Sequence, residues 1–85
     1  MDKLFGRYRR DSVAGRILTA LVEKPLTPSE LAKVAKPKSA ANIMNPGGWY
    51  FQLRRFGKTT KKFDLSLVDG KLVLTVSKRY LKQVA

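Results

Sequence analysis

An α+β fold is expected from this chain, with three helices first, then a β-hairpin and a short final helix. Three stretches carry that expectation. "DSVAGRILTALVEK", residues 11–24, sets Val13, Ala14, Ile17, Leu18 and Leu21 on one apolar stripe at helical spacing. "TPSE", Thr27 to Glu30, is a capping box with proline at the first helical position. "FDLSLVDGKLVLTV" alternates apolar and polar residues about Asp69-Gly70, a strong two-residue hairpin turn.

Each element follows in order. Residues 1–10 form a basic arm with Lys3, Arg7, Arg9 and Arg10, opposed by Asp2, and residues 11–85 form a single domain. Leu4, Phe5 and Tyr8 either pack on that domain or stay mobile. Asp11 or Ser12 caps the first helix and Pro25 ends it, with Gly15, Arg16, Thr19 and Glu23 on its outer side. In the second helix Leu31, Val34 and Ala35 face inward, and Pro37 stops the helix near Lys36. The connection "KPKSAANIM" has room for one more helical turn, burying Ile43 and Met44.

The third helix raises a question of its own. In "NPGGWYFQLRRFGK", Asn45 is a candidate N-cap, Pro46 a first helical residue and Gly57 a C-terminal stop, which predicts a helix over 46–56. Trp49, Leu53 and Phe56 then share a core face. Gly47, Gly48, Phe51, Arg54 and Arg55 share the opposite one, with Tyr50 at its edge. Each glycine inside a helix costs about 0.5–1 kcal/mol relative to alanine. Two uses would offset that cost: close approach of a bound partner to the backbone, or close packing against the first helix. In the hairpin, closing the chain at Asp69-Gly70 pairs Leu67 with Leu72, Leu65 with Leu74 and Phe63 with Val76 on one face. Asp64, Ser66, Val68, Lys71, Val73 and Thr75 take the other face. Ser77 caps the last helix, in which Tyr80, Leu81 and Val84 pack inward.

The charge is lopsided. The chain of 85 residues carries 18 Lys plus Arg against 6 Asp plus Glu, a net charge of +12. No acid lies between Glu30 and Asp64, while that span holds Lys33, Lys36, Lys38, Arg54, Arg55, Lys58, Lys61 and Lys62. A solubilising face usually mixes signs, so an acid-free span of this length implies a polyanionic partner, nucleic acid first. With no cysteine and no histidine, disulfides, zinc-finger sites and His-based catalysis are excluded. The six acids Asp2, Asp11, Glu23, Glu30, Asp64 and Asp69 show no spacing for a catalytic or metal-binding couple, so neither an enzyme nor a cofactor is expected. No apolar run approaches the roughly 20 residues that span a bilayer. "MDKLFGRYRR" is too charged for a secretory h-region, and a cytoplasmic, intracellular protein is expected.

The order of elements over residues 12–76 resembles a winged helix-turn-helix domain. The stretches that carry the resemblance are "TPSELAKVA", which looks like the scaffold helix, "WYFQLRRFGK", which looks like the recognition helix, and "LVDGKLVLTV", which looks like the wing. It implies a three-helix core with the third helix in the DNA major groove and the C-terminal hairpin as wing. Arg54, Arg55, Lys58, Lys61 and Lys62 then follow one phosphate track, with an arginine reading guanine. Lys36 or Lys38 reaches the other side of the groove, and Ser39, Asn42 and Asn45 are further candidate DNA contacts. Gly47 and Gly48 allow close approach, with first-turn amides suited to a phosphate. Tyr50 or Phe51 touches a thymine methyl or a sugar, and Arg7, Arg9 and Arg10 enter a neighbouring minor groove as a mobile arm. The implied function is a small DNA-binding protein: a transcription regulator, a recombination accessory factor or a phage-type control protein. Two alternatives stand beside it. One is RNA binding, with Tyr8, Tyr50 and Phe51 stacking on unpaired bases. The other is a protein-interaction module in which Tyr50 and Phe51 form a hot spot on an acidic partner such as a polymerase.

Overall fold

The computed structural model describes residues 3–83, so Asp2 and Val84, each expected in a contact, lie outside the described residues. The first segment is not a free arm. Lys3–Leu4 (β1) and Tyr8–Arg9 (β2) pair antiparallel across a three-residue turn, Phe5 to Arg7. Phe5 and Gly6 in that turn have φ of 56° and 72°, and the Arg7 N–H closes it on the Leu4 carbonyl at 3.0 Å. Two successive left-handed residues match the strand twist of a tight hairpin. Leu4 and Phe5 are fully buried in the core, so the hairpin belongs to the domain that was expected to begin at residue 11.

Ser12 caps α1 (Val13–Glu23), its hydroxyl accepting from the Gly15 N–H at 3.0 Å. Ala14, Ile17, Leu18 and Leu21 are buried as the stripe predicts, and Val13 is half-buried. Gly15, expected on the outer side, is buried as well. A Cβ there would lie 2.8 Å from the Arg10 Cα and nearer still to the Arg9 carbonyl oxygen, so the missing side chain lets β2 run against the helix. Arg16 crosses to the second helix, where its Nε donates to the Ala35 carbonyl at 2.9 Å and satisfies one of the last-turn carbonyls.

The capping box forms at the start of α2 (Pro28–Ala35). Thr27 N–H donates to the Glu30 carboxylate at 2.9 Å and Glu30 N–H to the Thr27 hydroxyl at 3.2 Å. The Thr27 backbone N–H first, and the Thr27 side chain after it, hold the Glu30 carboxyl below its ordinary value. The box is therefore intact at neutral pH and lost only as pH falls through that depressed value. Leu31 and Ala35 are buried, but Val34 is 49% exposed. It lies about 100° around the helix from Ala35 and so falls off the Leu31–Ala35 stripe that is buried. Lys36 leaves the helix at φ 50° before Pro37, and a 3-10 turn over Ala40–Asn42 brings Ile43 into the core.

The third helix, α3, runs Trp49–Thr60 rather than 46–56. Gly48 is its N-cap residue, without a side-chain cap, and Lys61 closes it at φ 60°. Gly57 is inside the helix, not at its end. A Cβ there would meet the Phe63 ring and carbonyl at 2.6 Å, so Gly57 is where β3 folds back on the helix.

The hairpin β3 (Phe63–Val68) and β4 (Lys71–Val76) has the expected register, with Phe63 opposite Val76, Leu65 opposite Leu74 and Leu67 opposite Leu72. Asp69 and Gly70 both have positive φ. Phe63, Leu65 and Leu72 are buried, while Leu67, opposite Leu72, is exposed: at this end Leu26 bonds to β4 and leaves β3 as the outer strand. Leu26, between α1 and α2, bridges to Leu72 through two backbone bonds of 3.3 and 2.7 Å, fastening the hairpin to the helical layer. The final helix is 3-10, over Lys78–Gln83. Tyr80 packs inward, but Leu81 is exposed, and the Ser77 hydroxyl donates to the Lys61 carbonyl at 2.9 Å instead of capping. Among the described residues, no helix is long and apolar enough to cross a membrane.

The two hairpin faces have different energetic weight. Leu65→Ala is expected to lower stability by about 2–5 kcal/mol, as buried leucine truncations do. Val68→Ser, on the exposed face, should change it by less than about 0.5 kcal/mol. Urea melts of the two variants check this, and equal sensitivity would contradict the one-sided packing.

Candidate nucleic-acid interface

Helix α3 is held from one side only. Leu53 is fully buried, and Trp49 and Phe56 flank it half-buried, as the periodicity predicts. Phe56 belongs to an aromatic chain through the molecule. Its centroid is 6.0 Å from that of Phe63, which is 4.7 Å from Phe5, and Tyr8 meets Phe56 edge-on at 5.3 Å. The N-terminal hairpin, α3 and β3 thus share one aromatic contact, which fixes the helix while leaving its outer face free.

That outer face carries Phe51, Gln52, Arg54, Arg55, Lys58 and Thr59, all exposed. Among the described residues, the one ion pair is Arg9 with Asp11 at 3.4 Å, so Arg54, Arg55 and Lys58 have no acidic partner there. Phe51 is 42% exposed, an uncommon position for an aromatic ring beside two arginines. Lys61 continues the basic run past the helix end, also exposed. Arg7 lies over Phe56, 5.3 Å from the ring centroid, and places the hairpin's charge next to α3. A fixed Arg7 replaces the mobile arm, and Arg9 and Arg10 lie exposed on the same folded hairpin.

Other expected members are placed differently. Tyr50 is buried to 7% exposure, so it is part of the core rather than a contact or hot-spot residue. Its N–H donates to the Ile43 carbonyl at 2.9 Å, so that first-turn amide is already taken. Lys62 also turns inward. Its ammonium donates to the Phe5 carbonyl at 2.9 Å and lies 5.7 Å from the Phe56 centroid and 5.5 Å from that of Tyr80. It clasps the N-terminal turn, and the basic run on the surface is Arg54, Arg55, Lys58 and Lys61 without it.

The glycines divide between two roles. Gly47 has φ of 79° and open space where a Cβ would go. Gly48 has an ordinary φ of −75°, but a Cβ would sit 2.8 Å from the Asn45 carbonyl oxygen, 3.0 Å from that of Ile43 and closer still to that of Asn42. The close approach at Gly48 is therefore to the chain's own turn. Neither glycine stands in the helix interior, so the helix cost expected there does not arise. Gly48→Ala is expected to lower stability by about 1–3 kcal/mol, the overpacking range, because backbone carbonyls cannot step aside. Thermal melting checks this, and an unchanged or raised midpoint would contradict the crowding.

Asn42, Asn45, Pro46, Gly47, Gly48 and Gln52 surround a small cleft before the start of α3. Lys36, Lys38 and Ser39 are exposed on the connection leading to it, and Asn45 does not cap the helix. Gln52 and Thr59 were not singled out by residue type. Their spacing with Arg55, three and four residues apart along one ridge, is the signal that finds them. Gln52 Nε2 donates to the Gly47 carbonyl at 2.6 Å and steadies the turn before the helix. No group of three or more acids that would hold a metal ion occurs among the described residues. Comparison with protein-family models, curated proteins and solved structures finds no match for this chain.

Proposed function

We propose that this chain is a small winged-helix protein that binds double-stranded DNA, with α3 entering the major groove and the β3–β4 hairpin as wing. The observation that carries the reading is the outer face of α3. Arg54, Arg55 and Lys58 are exposed and without acidic partners among the described residues, and the flanking sequence has no acid from Glu30 to Asp64. Leaving cations unneutralised on a chain of net charge +12 costs self-repulsion, which a polyanion relieves. The arrangement of elements supports the same reading, since α2 precedes α3 across a connection that holds the 3-10 turn Ala40–Asn42, and the Leu26–Leu72 bridge ties the hairpin to the helices. A helix held from behind by Leu53 and Phe56 has its opposite face available to a groove wide enough for a helix. Burial of Tyr50 removes one of the two side chains on which a protein hot spot would rest.

Selection of bound sequences from a random duplex library tests the proposal, with single-stranded RNA as competitor. An enriched duplex motif is the expected result. Arginine is the better candidate for base readout because its fork can be bidentate, whereas a lysine is a point charge. Arg54→Ala or Arg55→Ala should cost about 1–3 kcal/mol and relax preference at one base position, if that arginine reads guanine. Preferential retention of RNA, or no retention of nucleic acid at all, would overturn it.

A further inference from the structure

The N-terminal hairpin and α3 enclose an open cleft of about 740 Å³, within the roughly 300–1,000 Å³ of ligand-sized clefts. Arg7, Tyr8, Pro46, Phe51, Arg55 and Phe56 contribute to its wall, and none of its lining residues is acidic. Its chemistry is flat and cationic together. Arg7 lies 5.7 Å from the Tyr8 ring centroid and 5.3 Å from that of Phe56, so the guanidinium is set against the aromatic rings. Phe51 is held at one edge, 5.0 Å from the buried Tyr50 and at 78° to it, and is otherwise exposed.

Such a wall suits a planar apolar group that carries negative charge close by. Base stacking on an aromatic ring satisfies the first demand, and the phosphates on either side of a nucleotide satisfy the second through the arginines. Bases within a duplex are already stacked on each other and cannot enter. We infer that the cleft holds one unpaired nucleobase of the bound DNA, stacked on Phe51 with Arg7 and Arg55 at its flanking phosphates. This rests on the nucleic-acid reading of α3 and adds to it a preference for DNA with a bulged, overhanging or extruded base.

The experiment compares a blunt duplex with the same duplex carrying one unpaired aminopurine, by fluorescence anisotropy and by the emission of the aminopurine itself. The expected result is binding to the unpaired probe about five- to a hundredfold tighter, as base–aromatic stacking supplies, with quenched emission. Phe51→Ala should bring the ratio of the two affinities close to one and restore emission, whereas Lys58→Ala should weaken both probes and leave the ratio unchanged. Equal affinity without quenching overturns the inference and leaves duplex binding standing, as does a preference that survives Phe51→Ala. Binding of neither probe overturns both readings.

Discussion

Phe5→Ala is expected to lower stability by about 3–5 kcal/mol, the range for a buried phenylalanine truncation. That is a large part of the roughly 5–15 kcal/mol that a domain has in total. Phe5 is 1% exposed, with its ring centroid 4.7 Å from that of Phe63, and its carbonyl accepts the buried-side hydrogen bond from Lys62. The residue also sits at φ 56°, a conformation that a non-glycine residue adopts at a cost of about 1–2 kcal/mol. Alanine keeps that cost and loses the ring, so the truncation has no compensating gain. Arg7→Ala, two residues on and exposed, is the control and should cost no more than about 1 kcal/mol, the reach of its exposed contacts with the Tyr8 and Phe56 rings. Lys62→Ala should fall between them, since it removes the clasp on the Phe5 carbonyl but leaves the aromatic contact. Urea unfolding followed by tryptophan fluorescence reads all three through Trp49. A silent Phe5→Ala would show that the first ten residues are an arm after all.

Local rules account for the elements that residue pattern alone revealed. The Ser12 cap, the Thr27–Glu30 box and the Asp69-Gly70 hairpin each depend on residues within four positions, and each formed as expected. The elements that escaped depend on tertiary contacts, some with near neighbours and one with a residue far along the chain. Lys62 looks like any surface lysine until Phe5, 57 positions away, offers it a carbonyl. Gly57 reads as a helix stop, yet the helix continues because Phe63 folds back onto the bare backbone there. Gly15 reads as an outer residue until β2 covers it. The N-terminal hairpin had a local signal, Gly6 in "LFGRY", but a bulky Phe at positive φ is a rare partner for it. For the candidate site, the exposed cations and Phe51 follow directly from helical spacing. Tyr50 does not: spacing puts it at the edge of the outer face, and the structure buries it in the core cluster with Phe51 edge-on against it.

Affinity for duplex DNA is expected to fall by about 10³ between 50 and 200 mM salt. The proposed phosphate track takes the exposed Arg54, Arg55, Lys58 and Lys61 on and after α3, with Arg7 on the adjoining hairpin and Arg10 just after it. Arg9 is left out because Asp11 already accompanies it. If these neutralise about six phosphates, log K falls against log salt with a slope near −5, at about −0.9 per phosphate. Lys58→Ala and Lys61→Ala should each reduce that slope by about one unit and weaken all sequences alike, since a phosphate contact carries no base information. Lys62→Ala separates the clasp from the track. With its ammonium turned to Phe5, its loss should shift the unfolding midpoint and leave the slope of the folded protein unchanged. Titrations of duplex binding at several salt concentrations measure every one of these slopes. A wild-type slope near zero would remove the electrostatic basis of the DNA reading, because a face of unpaired cations that releases no counterions is not meeting phosphates.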